Sequence, residues 1–207
     1  MLNIALPKGR LGDKVYRLLA GVGYDCAELA EGGRKLVFYS PDRDVSYFLV
    51  KPGDVGIYVE HGAADVGVVG KDVLLESGAD VYELLDLKLG QCRLAVAAPD
   101  GFSDDADATL RVATKYPNVA RNYYQGVGRS IDVIKLSGSI ELAPLLGLSD
   151  VIVDIVETGT TLRENHMRVY DIIAPSSARL IANVSSYQFK RGEIDRMVKL
   201  LSEVIDG

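Results

Sequence analysis

The amino-acid sequence predicts an α/β protein built as two small lobes. Short apolar runs alternate with stretches of helical periodicity, the layout of strands covered by helices and of a largely parallel sheet. The stretch from about Gln91 to Pro175 carries its own set of such runs. It therefore reads as a second lobe, residues 91–175, set into a first lobe made of residues 1–90 and 176–207. Glycine, 21 of 207 residues, is frequent enough to supply tight turns between strands and helices, and a hydrophobic content of 48% is enough for two cores.

In the first lobe, Leu2–Leu6 reads as a strand. Leu11, Val15, Leu18, Leu19 and Val22 follow at helical spacing, with Gly21 and Gly23 to stop the helix. Between them Pro7-Lys8-Gly9-Arg10 puts two cations and a glycine at a strand-to-helix turn. Leu36–Ser40 and Ser46–Val50 read as paired strands joined by Pro41–Asp44. Pro52 opens a helix whose Val55, Tyr58 and Val59 face inward. Val66–Val69 is a buried strand ended by Gly70, and Lys71-Asp72 begins a helix that stops near Gly78. In the second lobe, strands are expected at Gln91–Ala98, Arg111–Thr114, Asp132–Leu136 and Val151–Val156. Helices are expected at Asn118–Gln125, at Ser139–Leu146 (cut by Pro144) and around Leu162, Asn165 and Met167. Tyr170–Ala174 and Arg179–Val184 read as extended. Gly192–Ile205 is an amphipathic helix with Ile194, Met197, Val198, Leu201, Val204 and Ile205 on one face.

Composition narrows the function classes. A net charge of −6 argues against a surface that wraps nucleic acid, so any polyanion must be met by a local cluster of Lys and Arg. Cys26 and Cys92 are far apart with no second ligand nearby, and His61 and His166 form no metal-binding array. The apolar run at the N-terminus is too short for a signal segment, and no run is long enough for a membrane span. The expectation is a cytoplasmic protein that binds neither membrane nor nucleic acid.

The most informative stretch is Val151–Leu162, VIVDIVETGTTL. A carboxylate, Asp154, interrupts an otherwise apolar strand, where an unpaired buried charge would be costly. Glu157-Thr158-Gly159-Thr160-Thr161 then makes a turn of small hydroxyl residues around one glycine. Such a turn directs backbone N–H groups and hydroxyls at a phosphate, and the neighbouring acid suits sugar hydroxyls. A ribose phosphate fits this pair better than a bare phosphate. No Lys follows the glycine as in the ATP-binding loop GxxxxGK[ST], and GxGxxG is absent.

Four strings, LNIALPKGRL (Leu2–Leu11), DVGIYVEHGAADVGVVGKDVL (Asp54–Leu74), RVATKYPN (Arg111–Asn118) and GSIELAPLLGLSDVIVDIVETGTTLRENHM (Gly138–Met167), together resemble the ATP phosphoribosyltransferase family. The resemblance spans nearly the whole chain. It implies an α/β fold of two lobes like type II periplasmic binding proteins, with the ligand cleft between lobes. It implies transfer of phosphoribosyl from phosphoribosyl pyrophosphate to N1 of ATP, giving phosphoribosyl-ATP and pyrophosphate with Mg²⁺, the first step of histidine biosynthesis. Since the sequence stops at Gly207, the short form is expected, with a separate regulatory subunit resembling histidyl-tRNA synthetase as partner.

On that resemblance, the ribose phosphate is expected at Glu157, Thr158, Gly159, Thr160 and Thr161. Asp154 and Glu141 are candidates for the ribose hydroxyls, and Asp154 or the substrate phosphates for Mg²⁺. Lys8, Arg10, Arg34 and Lys51 are the candidate catalytic cations, facing pyrophosphate or the triphosphate. Position 51 departs from the family pattern, where Arg is usual; Lys51 keeps the charge without the planar fork. Lys71, Asp72, Cys92, Arg93 and Tyr116 are candidates for ATP. Glu141 reads equally as a solvated helix residue, Arg34 as a loop charge, and Lys71 and Asp72 as surface charge and helix cap. The rival readings are a two-lobed small-anion binding module without catalysis and a phosphoribosyltransferase acting on another base.

Overall fold

The computed structural model describes residues 1–31 and 35–207, in two units: Met1–Gly90 with Ser177–Gly207, and Gln91–Ser176. Arg34 lies outside the described residues. In chain order the first unit begins with β1 (Leu2–Pro7), α1 (Arg10–Gly21), α2 (Ala27–Glu31), β2 (Val37–Ser40), β3 (Val45–Val50), α3 (Val55–Glu60), β4 (Val66–Gly70), α4 (Lys71–Ser77) and β5 (Tyr82–Asp86). The second unit holds β6 (Cys92–Pro99), β7 (Leu110–Thr114), α5 (Pro117–Gly126), β8 (Ile131–Lys135), α6 (Leu142–Leu145), β9 (Val151–Val156), α7 (Thr160–Glu164) and β10 (Met167–Ser176). The chain then returns to the first unit as β11 (Ala178–Ala182), α8 (Val184–Phe189) and α9 (Arg191–Asp206).

The first sheet has the order β2-β3-β1-β4-β11-β5. Leu2, Ile4 and Leu6 of β1 alternate with Ala5, so the two sets of side chains point to opposite faces. On one face Ile4, Leu6, Val66, Val68 and Leu180 are covered by Val15 and Leu19 of α1 and by Ile194, Met197 and Leu201 of α9. On the other, Ala5, Val69 and Ile181 pack with Val55 and Val59 of α3. The second sheet runs β10-β6-β9-β7-β8. Ala97, Ala113 and Ile152 pack with Ile140 and Leu162 on one side, and Val112, Val151 and Val153 with Ala120 and Tyr124 of α5 on the other.

The largely parallel sheet expected from strand–helix alternation is corrected: both sheets are mixed. β3, β1 and β4 run parallel, as do β8, β7 and β9, but β2, β11, β6 and β10 each pair antiparallel with a neighbour. β5 also pairs antiparallel, with β11. Other corrections are local. Pro52 opens a 3-10 turn, Pro52–Asp54, and the helix starts at Val55. Tyr58, expected inward, is exposed, as is Val204 near the end of α9. Helix α6 is confined to Leu142–Leu145, and Met167 begins strand β10 instead of closing a helix. Val184 starts α8, whose N-terminus is capped by Asn183 Oδ1 accepting from the Ser186 N–H at 2.8 Å.

One buried acid ties the ends of the first unit together. Asp65, just before β4, accepts hydrogen bonds from the Asn3 N–H (2.8 Å) and from Lys190 Nζ (2.7 Å), and Lys190 also donates to the Met1 carbonyl at 2.9 Å. Burial alone would raise the Asp65 carboxyl. The bonds from Lys190, Asn3 and Ser186, with the Lys190 charge, outweigh it and hold the group below the usual carboxylate range. A depressed folded-state value means stability that is present above the unfolded value and lost as pH falls through the folded one. Asp65→Asn should therefore lower stability at pH 7 by about 2 kcal/mol, breaking a largely buried pair whose Lys is partly exposed. In urea titrations the gap between Asp65→Asn and the parent should shrink toward pH 3; a gap that does not depend on pH would contradict the linkage.

Candidate functional site

Strands paired in register end at one level, so the loops that follow them converge. In the second unit Thr114 at the end of β7 lies opposite Val153 of β9 and Lys135 of β8. Arg93, at the start of antiparallel β6, lies opposite Val156 of β9 and Pro175 of β10. One edge of the sheet thus gathers Cys92 and Arg93, Lys115 and Tyr116, the segment Ser137–Glu141, and Asp154 with the turn that follows it. Ligands of open α/β sheets sit at such carboxyl ends.

Asp154 is the fourth of the six residues of β9, next to fully buried Val153 and exposed Ile155. It is itself only half-buried, and the residue across the ladder is small Ala95. One carboxylate oxygen accepts from the Ile155 N–H at 2.8 Å. Past Val156 the chain turns outward: Glu157, Thr158, Thr160 and Thr161 are exposed. Gly159 holds φ +73°, a left-handed conformation that costs an L side chain roughly 1 kcal/mol or more. The Thr158 and Thr160 hydroxyls lie 3.0 Å apart. Behind them the Arg163 guanidinium donates to the Thr158 carbonyl and to Thr160 Oγ1, each at 3.0 Å. Glu141 precedes α6 and is half-buried at the same edge. Two residues before it, Ser139 carries a positive φ of 48°.

The first unit repeats the arrangement with the opposite charge. Pro7 of β1 lies opposite Val50 of β3, and the Lys8 N–H donates to the Val50 carbonyl at 2.8 Å. Lys8, Arg10 and Lys51 therefore follow adjacent strand ends, and all are exposed. None of the three is paired with a carboxylate among the described residues, whereas Lys71 after β4 is held by Glu83. The turn depends on two glycines. Gly9 has φ +97°, and a Cβ on Gly12 would stand 1.8 Å from the Pro7 carbonyl oxygen, so α1 starts directly against the end of β1. Beside this turn lies a hollow of about 450 Å³ with Leu6, Tyr16, Phe38 and Leu49 in its wall and Lys8 and Asp13 as polar groups.

A family profile described as ATP phosphoribosyltransferase matches residues 51–203. The chain is 58% identical to the ATP phosphoribosyltransferase of Brachyspira hyodysenteriae over 99% of its length and 100% of that protein's. It is 49% identical to that of Alkaliphilus metalliredigens over 98% of this chain and 97% of the relative. The chain belongs to the ATP phosphoribosyltransferase family. Its fold superposes on the ATP phosphoribosyl transferase (HisG:HisZ) complex of Thermotoga maritima with a TM-score of 0.88 at 38% identity, covering 100% of this chain and 99% of that one. The periplasmic aliphatic sulphonate binding protein SsuA of Escherichia coli shares the fold at a TM-score of 0.60 and 15% identity, over 98% of this chain and 71% of that one. The family's two-lobed fold, like that of periplasmic binding proteins, is the architecture expected above.

The weaker candidates fall in mixed surroundings. Asp72 is 8% exposed and folds back so closely that a Cβ on Gly70 would meet its carboxylate oxygen at 2.2 Å. Tyr116 is 3% exposed and packs with Leu94 and Val119, with Lys115 Nζ 5.4 Å from its ring centre, so its ring belongs to the core of the unit. Cys92 is half-buried, and Arg93 Nε is buried without a hydrogen-bond partner among the described residues. Arg163 was not among the candidates; its position three residues after Thr160, one helical turn on, is the signal that points to it.

Gly12→Ala should force α1 away from Pro7 and destabilise the protein by about 3 kcal/mol. Gly21→Ala at the far end of the same helix, where a Cβ meets nothing within 4 Å, should leave stability unchanged or slightly raised. Paired urea melts of the two variants check this, and equal midpoints would refute the close approach.

Proposed function

We propose that the chain transfers phosphoribosyl from phosphoribosyl pyrophosphate to N1 of ATP, releasing pyrophosphate and committing ATP to histidine biosynthesis. The observation that carries this reading is Asp154 on the strand that runs straight into the exposed Thr158–Thr161 turn. The family membership supports it independently. The turn takes the 5′-phosphate through its hydroxyls and N–H groups, with Glu157 at its start. Asp154 and Glu141 hold the ribose hydroxyls.

In the reaction, N1 of adenine attacks C1 of the ribose as the bond to pyrophosphate breaks. Positive charge gathers on the sugar and negative charge on the leaving group. Catalysis therefore rests on placement and electrostatics more than on a covalent nucleophile. Lys8, Arg10 and Lys51 are exposed cations following adjacent strand ends, suited to pyrophosphate or the triphosphate. Arg34, in the segment outside the described residues, is proposed for the same charge. Lys71, Asp72, Cys92, Arg93 and Tyr116 remain the proposed ATP neighbours. The side chains of Tyr116 and Asp72 are nearly covered.

Magnesium is the proposed ion. Among the described residues no group of three or more His, Cys, Asp or Glu forms a ready metal cage. The donors present at the site edge are single carboxylates, which fits an ion carried largely by phosphate oxygens with Asp154 as the protein contact. Bound there, it would neutralise charge on the departing pyrophosphate. The proposed partner is a regulatory subunit resembling histidyl-tRNA synthetase, as in the HisG:HisZ complex, and the match over the full length of the relatives agrees with the short form of the family. The proposed location is the cytoplasm; no helix among the described residues is long and apolar enough to cross a membrane.

The test mixes the purified chain, with and without that partner, with ATP, phosphoribosyl pyrophosphate and Mg²⁺. Phosphoribosyl-ATP and pyrophosphate should appear in equal amounts, and other nucleobases in place of ATP should give none. No product with the partner present would end the enzyme reading. Asp154→Asn should lower kcat/KM by about a hundredfold or more with an unchanged melting temperature, since the half-buried carboxylate serves substrate and not the core. Parent-like turnover in a normally folded Asp154→Asn protein would show the acid misassigned.

A further inference from the structure

The threonine turn is not held by its backbone alone. A guanidinium carries donors only, so Thr160 Oγ1, 3.0 Å from Arg163 Nη2, must accept that bond. The single proton of the Thr160 hydroxyl then has two places to go: outward, or to Thr158 Oγ1 at 3.0 Å. If it goes to Thr158, the Thr158 proton is the one left to point outward. Either way the pair of hydroxyls presents a donor to whatever approaches the turn. Without Arg163 both hydroxyls are free to turn lone pairs outward, which an anion disfavours.

The second arm of the same guanidinium, Nη1, donates to the Thr158 carbonyl at 3.0 Å and so keeps that acceptor occupied. The fork also places a full positive charge behind the turn. Lys could supply the charge but not both bonds in one plane.

We propose that Arg163 is a positioning residue for the sugar donor: it sets the direction of the Thr160–Thr158 hydroxyl chain so that the turn offers protons to the 5′-phosphate. This rests on the reading of that turn as the phosphate site. Arg163 touches the threonines and not the reacting atoms, so its effect belongs in ground-state recognition of phosphoribosyl pyrophosphate.

The test is a double-mutant cycle in the transferase assay, with KM for phosphoribosyl pyrophosphate, KM for ATP and kcat read separately. Thr160→Val keeps the shape and removes the hydroxyl; Arg163→Gln removes the fork. Each should raise KM for phosphoribosyl pyrophosphate about tenfold, the size of one charge-assisted bond, with KM for ATP unmoved and kcat within about twofold. The double variant should be little worse than either single one, because both cut the same chain. Multiplying effects, about a hundredfold in the double variant, would overturn the proposal in favour of a guanidinium that merely braces the backbone. An unchanged KM in Arg163→Gln beside a raised one in Thr160→Val would overturn it while leaving the phosphate site intact. An unchanged KM in Thr160→Val would overturn the proposal, since the phosphate would then be held by the N–H groups and the other hydroxyls of the turn.

Discussion

The pairing of β9 with β7 in parallel register is the constraint from which the site follows. Because Thr114 and Val153 stand opposite each other, the loops after the two strands leave the sheet at one level, and β6, running the other way, begins there. Thr114 reinforces the junction from inside: its hydroxyl donates to the Val153 carbonyl at 2.6 Å and accepts from the Tyr116 N–H at 2.8 Å. A slip of one residue in β9 would swing Asp154 to the opposite face of the sheet and carry the threonine turn with it. The placement of Asp154 and of the threonine turn is therefore a consequence of strand register before it is a property of any side chain.

The first unit applies the same geometry to cations. Lys8 and Arg10 follow β1 and Lys51 follows β3, and the close seat of Gly12 on Pro7 fixes where the helix after the first turn begins. Among the described residues, Lys8, Arg10 and Lys51 have no carboxylate partner, whereas the end of the other sheet carries an acid and a turn of hydroxyls.

Much of this was legible in the sequence, for identifiable reasons. Val151–Val156 is apolar enough to read as a strand; the Thr/Gly turn after it is of a common kind that mostly binds nothing, and it was the wider family resemblance that singled it out as a candidate. The helix α9 was legible because Ile194, Met197 and Leu201 repeat at the period of a buried stripe. Strand direction was not, since alternation of strand and helix says nothing about which strands bring the chain back. β5 was missed because Tyr82 and Glu83 are exposed on an edge strand and carry no apolar alternation. The Asp65–Lys190 pair joins residues 125 apart in sequence, and Arg163 was passed over although its i, i+3 spacing to Thr160 allows the contact, because spacing alone does not say that the guanidinium turns back on the threonines.

A crystal structure of the protein with phosphoribosyl pyrophosphate and Mg²⁺ is the most direct measurement of the central claim. The account predicts density for the 5′-phosphate within hydrogen-bonding distance of the Thr158–Thr161 hydroxyls and N–H groups, and the ribose 2′- and 3′-hydroxyls on the carboxylate of Asp154. A sugar donor bound with its phosphate on any other loop, leaving Asp154 facing solvent, would contradict it.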